Sequence, residues 1–427
     1  MHESHVAFLV IAILELLLLA SLAAVLLRRL RFPYTIGLMI IGILLAFVQD
    51  RLDVLESLRQ IRLTPDIVLY LFLPTLVFPA AVQLDLRLLR QNVYPLVLLA
   101  FPGVIVSTAI VGSIVAAVTP LSWSAALLFG ALISATDPVA VVALFKDVRA
   151  PERLSVLVDG ESLFNDATGI VLFIIILSAG ASGGVGPLTV VRGAVDFVWV
   201  SVGGIGVGAL IAALYGKVVR LAEDDPLVEI ALSTVLAYTA FVVAHHYLHV
   251  SGVLAVVGAG LVGGWLRREH LKKARNTRAY VQHYWSYAVF VANSVVFLFL
   301  GIGENNFLTR LRGEGATELP YIACAIVAVI VARLIVVGGV IGLVNTCSSI
   351  EPIDWRQQAI IFWGGGLRGA LPLVLALSLP FDFAERQRIL DLTAGVVLFT
   401  LLVQGTTVSR LIRALEPTSG GNQISHP

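Results

Sequence analysis

Charge is what this chain has least of. Lys, Arg, Asp and Glu make up 13% of the 427 residues, against 58% hydrophobic. A soluble domain carries roughly 25% charged residues. A chain this poor in charge cannot cover a water-facing surface, so a bilayer is its solvent. The few charges nearly cancel, with 29 basic and 28 acidic residues. That balance excludes a nucleic-acid partner. Cysteine is scarcer still. Cys324 lies in an apolar run and Cys347 in a polar loop, which excludes a disulfide framework and a zinc-ligand spacing. No Lys or Arg precedes the first apolar run, and that run is longer than a signal-peptide core, so it reads as a retained span.

What the chain has in abundance is apolar sequence. Thirteen runs approach the ~20 residues that a spanning helix needs. They fall near 5–27, 33–49, 66–83, 94–118, 122–145, 157–178, 190–215, 227–247, 250–266, 282–302, 320–344, 357–379 and 390–411. The linkers are too short for a soluble domain. With the N-terminus outside, the inner segments carry 19 Lys and Arg and the outer segments 8. Cytoplasmic loops favour basic residues, so the N-terminus is expected outside and the C-terminus inside. The polar tail at 415–427 reads as disordered.

The chemistry concentrates in the fifth, sixth and twelfth runs. Thr136-Asp137-Pro138 interrupts the fifth. Pro138 has no N–H, so the carbonyl of Ser134 is expected to lose its helical partner and become available to a cation. Gly160-Glu161-Ser162-Leu163-Phe164-Asn165-Asp166 heads the sixth. Ser162 and Asp166 are four apart, as are Glu161 and Asn165, so each pair shares a helix face. Hydroxyl, carboxamide and carboxylate oxygens suit a hard cation. Carboxylates at membrane depth cost about 2.5–3.5 kcal/mol each on insertion scales, so a group of them marks function. Glu161 alone could be an acid near a helix N-terminus, complementing the dipole; Asp166 lies too far inside for that. The twelfth run carries Gly364-Gly365-Gly366-Leu367-Arg368-Gly369, with Pro372 beyond. Gly and Pro interruptions at corresponding places in two halves point to an inverted-repeat transporter and its site. A buried arginine must be paired, and Glu161 is the expected partner of Arg368. Arg333 in the eleventh run has a similar duty.

Asp137, Glu161 and Asp166 against Arg333 and Arg368 leave one negative charge. One proton or one monovalent cation cancels it, so the expected cycle is electroneutral one-for-one exchange, with proton and cation competing for Asp166. The weaker candidates read otherwise. His245, His246 and His249 lie at the end of the eighth run without an acidic or Cys partner and read as interfacial histidines. Gly203, Gly204, Gly206 and Gly208 form a small-residue face for close helix packing. Glu15, in the first run, has no evident partner in the sequence.

Ser134-Ala135-Thr136-Asp137-Pro138-Val139-Ala140-Val141, the segment 160–166 and Gly366-Leu367-Arg368-Gly369-Ala370 resemble the monovalent cation:proton antiporter-1 family, of the NhaP and sodium/hydrogen exchanger type. The resemblance runs from Pro33 to the last span. It implies an all-α fold of about thirteen transmembrane helices, with crossed discontinuous helices and elevator-like alternating access. It also implies a homodimer in the plasma (inner) membrane. Core helices would lie in 94–178 and 320–411, and dimerisation helices in 5–83 and 190–302. By matching position, Asp166, Asp137, Thr136 and Ser162 would bind the ion, while Glu161, Asn165, Arg368 and Arg333 would brace it. No cofactor is implied beyond the transported ions, Na⁺ or K⁺ and H⁺. One departure is Pro79, which stands where the family's third span usually has an acid.

Two other readings compete. A K⁺/H⁺ exchanger would use the same scaffold. An intramembrane aspartyl protease could use Asp137 and Asp166, but the Gly-x-Gly-Asp pattern of such proteases is missing and the glycines around Arg368 would have no role.

Overall fold

The computed structural model describes residues 5–30, 34–49, 64–137, 145, 152–181, 187–219, 225–270, 275–303, 305–347 and 352–415. Every regular element among them is helical. In chain order they are α1 (His5–Arg29), α2 (Tyr34–Gln49), α3 (65–83), α4 (Leu86–Gln91), α5 (Val93–Ala100), α6 (Pro102–Val118), α7 (Trp123–Ile133) and α8 (Glu152–Ala181). There follow α9 (Pro187–Val219), α10 (226–247), α11 (Gly252–His270), α12 (Arg275–Gly303), α13 (Asn305–Cys347), α14 (Trp355–Gly364), α15 (Ala370–Leu377) and α16 (386–415). Seven of the described helices are long and apolar enough to cross a bilayer. Backbone groups in hydrocarbon must be satisfied within the segment, which is why apolar runs of this length become helices.

Polar residues at the run edges set the helix starts. Asp225 accepts from the amides of Leu227 and Val228 ahead of Pro226, and Asp354 accepts from Gln357. Ser122 caps α7 through the amide of Ala125. Each is an N-cap that satisfies an otherwise orphaned donor.

Two of the expected spans are not continuous. The fifth run is interrupted at the motif, as the sequence predicts: α7 ends at Ile133, and 135–137 carry no helical structure. Pro138 lies outside the described residues. The twelfth run splits into α14 and α15, with 365–369 between them. The sixth run begins earlier than its hydropathy suggests. Since α8 starts at Glu152, Glu161 sits well inside the helix rather than at its N-terminus.

Around these interruptions, α7 packs on α6 and α8, α8 on α5, α13 on α6 and α16, and α15 on α16. Elsewhere α9 packs along α11, α11 along α3, and α12 along α2. The α9–α11 pair uses the expected glycine face. A side chain at Gly204 would lie 2.5 Å from the carbonyl oxygen of Ser251, and one at Gly208 would collide with the Ala255 carbonyl. Gly206 faces open space.

Candidate ion-binding site

The two interruptions touch. The amide of Asp137 donates to the carbonyl of Leu367 at 2.9 Å, joining the end of α7 to the gap between α14 and α15. Gly369 lies against the Asp137 side chain, so closely that any Cβ there would overlap the carboxylate. Arg368 is 2% exposed, and its Nη1 donates to the carbonyls of Ser134 (3.2 Å) and Ala135 (3.1 Å). The Ser134 carbonyl, without a helical partner as the interruption predicts, thus accepts from the Arg368 guanidinium. One terminal guanidinium nitrogen carries two N–H groups, one for each of the adjacent carbonyls. The Arg368 amide in turn donates to Thr400 Oγ1 at 3.2 Å.

The middle of α8 closes the site. Ser162 donates through Oγ to the Thr136 carbonyl, and both residues are buried. The backbone of Thr136 also faces the Asp166 carboxylate, which has Asp137 and Arg368 within Coulombic range. Asp166 is partly exposed, yet its Oδ1 is buried without a hydrogen-bond partner. Asn165 donates through Nδ2 to Glu161 at 3.3 Å, the i, i+4 contact its spacing predicts, and its Oδ1 also has no partner.

The expected Glu161–Arg368 pair is not the one formed. Glu161, 1% exposed, accepts from both terminal nitrogens of Arg333, with Nη2 at 3.0 Å from Oε2. Arg333 Nη2 also donates to the Ile361 carbonyl near the end of α14, at 2.8 Å. A bidentate fork satisfies both carboxylate oxygens, while Arg368 is turned to backbone. The four residues expected to bind the ion and the four expected to brace it thus converge on one place.

The other candidates lie apart from these contacts. His245 meets Tyr70 edge-on and lies tilted against Phe241, with ring centroids 5.6 and 5.4 Å away. No group of three His, Cys, Asp or Glu able to hold a metal occurs among the described residues. Pro79 is buried inside α3, and Glu15 is partly buried in α1. Two neighbours of the site escaped the sequence reading: Thr400 and Gln404, on a π turn in α16. Their signal is there in retrospect, since two polar residues four apart in an apolar run share a face.

Oxygen donors and buried acids, held where two interrupted helices meet, define a secondary transporter. The family model "Sodium/hydrogen exchanger, transmembrane" matches residues 16–414. The Na⁺/H⁺ antiporter ApNhaP of Aphanothece halophytica is 37% identical over 385 residues, covering 90% of this chain and 70% of that one. The Na⁺/H⁺ antiporter NhaH of Halobacillus dabanensis is 34% identical over 423 residues, covering 97% and 99%. In fold, the chain matches the sodium proton antiporter MjNhaP1 of Methanocaldococcus jannaschii at pH 8, with TM-score 0.77, 21% identity and coverage of 96% and 99%. The chain belongs to the sodium/hydrogen exchanger family, as an integral multi-pass membrane protein of the NhaP type.

Proposed function

We propose that this chain exchanges one Na⁺ for one H⁺, the two ions binding in turn at Asp166. The observation that carries the reading is the buried Oδ1 of Asp166, which has no hydrogen-bond partner, on a carboxylate that faces the backbone of Thr136, the residue that Ser162 also bonds. Asp137, Thr136, Ser162 and Asp166 supply oxygens suited to a hard cation. Glu161 and Arg333 cancel each other as an ion pair. Arg368 offsets one of the two remaining carboxylates, which leaves a single negative charge for one monovalent ion to neutralise. Both loaded forms then carry the same charge, and the cycle moves none across the membrane.

The orientation proposed is N-terminus outside and C-terminus inside, supported by the bias of Lys and Arg between alternate loops. A homodimer is part of the same proposal, and it rests on the family resemblance.

The test is dequenching of a pH-sensitive dye in proteoliposomes on adding Na⁺, Li⁺ or K⁺. Na⁺ is expected to dissipate the gradient in the wild type and to fail in Asp166→Asn. Exchange retained in that variant overturns the site. A voltage-dependent exchange current overturns the one-for-one stoichiometry. A response to K⁺ in preference to Na⁺ assigns the scaffold to potassium.

A further inference from the structure

A small cavity, about 10 Å³, lies between α13, the gap at 365–369 and the π turn of α16. Its volume is that of a single water site. Most of its wall is apolar, including Val329, Val396 and Phe399. Four polar side chains also line it: Thr400, whose hydroxyl already accepts from the Arg368 amide, and Arg333, Arg368 and Gln404, which are 7%, 2% and 4% exposed. Each of the last three leaves one buried atom without a protein partner, namely Arg333 Nε, Arg368 Nε and Gln404 Oε1. Two of these atoms donate and one accepts.

We propose that the cavity binds one water molecule, and that through it Gln404 positions Arg368 for the ion site. Water matches this set of groups. It can accept from both Nε–H groups and donate to the Gln404 oxygen, which makes the three bonds typical of a buried water. A cation would face two guanidinium groups. An anion would face the Gln404 oxygen and leave it unsatisfied. The water links three elements: Arg333 held by Glu161 of α8, Arg368 holding the carbonyls of 134 and 135, and the π turn of α16. π turns inside helices frequently occur at functional sites. The positioning role rests on the ion-site reading above; the water site itself does not.

Two measurements test the two parts separately. A high-resolution cryo-EM map of the full chain in nanodiscs is expected to contain one rounded density within hydrogen-bond distance of the three atoms. A cavity free of density, with all three side chains resolved, overturns the water site. So does an anomalous bromide peak there in crystals grown with bromide, which would make it an anion site. For the positioning role, Gln404→Leu removes the acceptor and Val329→Leu fills the cavity from its apolar wall. Both are expected to raise the KM for Na⁺ about 3- to 20-fold, the range of a hydrogen bond within a bilayer, with the maximal rate within about twofold of wild type. An unchanged KM in either folded variant overturns the positioning role. Should Gln404→Leu fail to fold, Val329→Leu decides. Loss of exchange in Asp166→Asn tests the ion site alone and leaves the cavity density to be judged on its own.

Discussion

Arg333 and Glu161 form a buried two-pronged ion pair across 172 residues of sequence. The pair joins the middle of α8 to α13, and a third bond from Arg333 reaches the last turn of α14. It ties the interrupted helix to α8 and leaves Asp166 Oδ1 without a hydrogen-bond partner. Two charges taken out of water cost several kcal/mol each, and their attraction recovers this only with good geometry. The fork supplies that geometry, which accounts for an arginine rather than a lysine.

Removing one partner should be worse than removing both. Arg333→Ala alone is expected to destabilise the protein by about 3–5 kcal/mol, because it strands a buried carboxylate. The double variant Glu161→Gln with Arg333→Met should recover much of that loss. Thermal unfolding of the detergent-solubilised protein measures both. Additive losses would mean that the pair is not energetically coupled.

Ser162→Ala should act mainly on affinity. The hydroxyl bonds the Thr136 carbonyl beside Asp166, and hydrogen bonds between membrane helices are worth about 0.6–1.7 kcal/mol. A rise of roughly 3- to 20-fold in the KM for Na⁺ is expected, with the rate at saturating Na⁺ nearly unchanged. Initial rates of dye dequenching over a Na⁺ series provide the check.

Gly369→Ala should abolish exchange. A methyl there would occupy the place of the Asp137 carboxylate, driving the two interruptions apart. The neighbouring wall tolerates more: Gly366→Ala meets its closest neighbour, the Phe362 carbonyl, at 3.0 Å, so a partial loss is expected. Comparable activity in both variants would contradict the close approach described for residue 369.

Two glycines of α9 offer an internal control. Gly206→Ala faces open space and should be neutral, or stabilising by up to about 1 kcal/mol through helix propensity. Gly208→Ala would collide with the Ala255 carbonyl and should cost about 1–3 kcal/mol as overpacking. Melting temperatures of the two purified variants, measured side by side, should separate in that order.

The local chemistry was readable in advance. Thr136, Asp137, Ser162 and Asp166 stand out because acids and hydroxyls are expensive in apolar runs, and that expense is a property of composition. The Asn165–Glu161 contact was readable too, since four residues apart on one helix is a fixed distance. The interruption at 365–369 was signalled by its glycines, and the packing of α9 by its small residues. Less legible was where each helix stops. The fifth run stays apolar past Ile133, so hydropathy alone carries it on to 145. Thr400 and Gln404 share a face by spacing, but so do other polar residues of that run, and only their nearness to Arg368 in the fold gives them meaning.

The sequence by itself determined the solvent of this protein, its helical class and the kind of atom gathered at the candidate site. Each of these follows from residue type and short-range spacing. Tertiary structure alone decided which arginine answers Glu161. It also turned Arg368 to the carbonyls of 134 and 135, and tied Asp137 to Leu367. The physical reason is that a charge in a low-dielectric interior takes whichever partner the packing brings within reach, and helices far apart in sequence meet there only once folded.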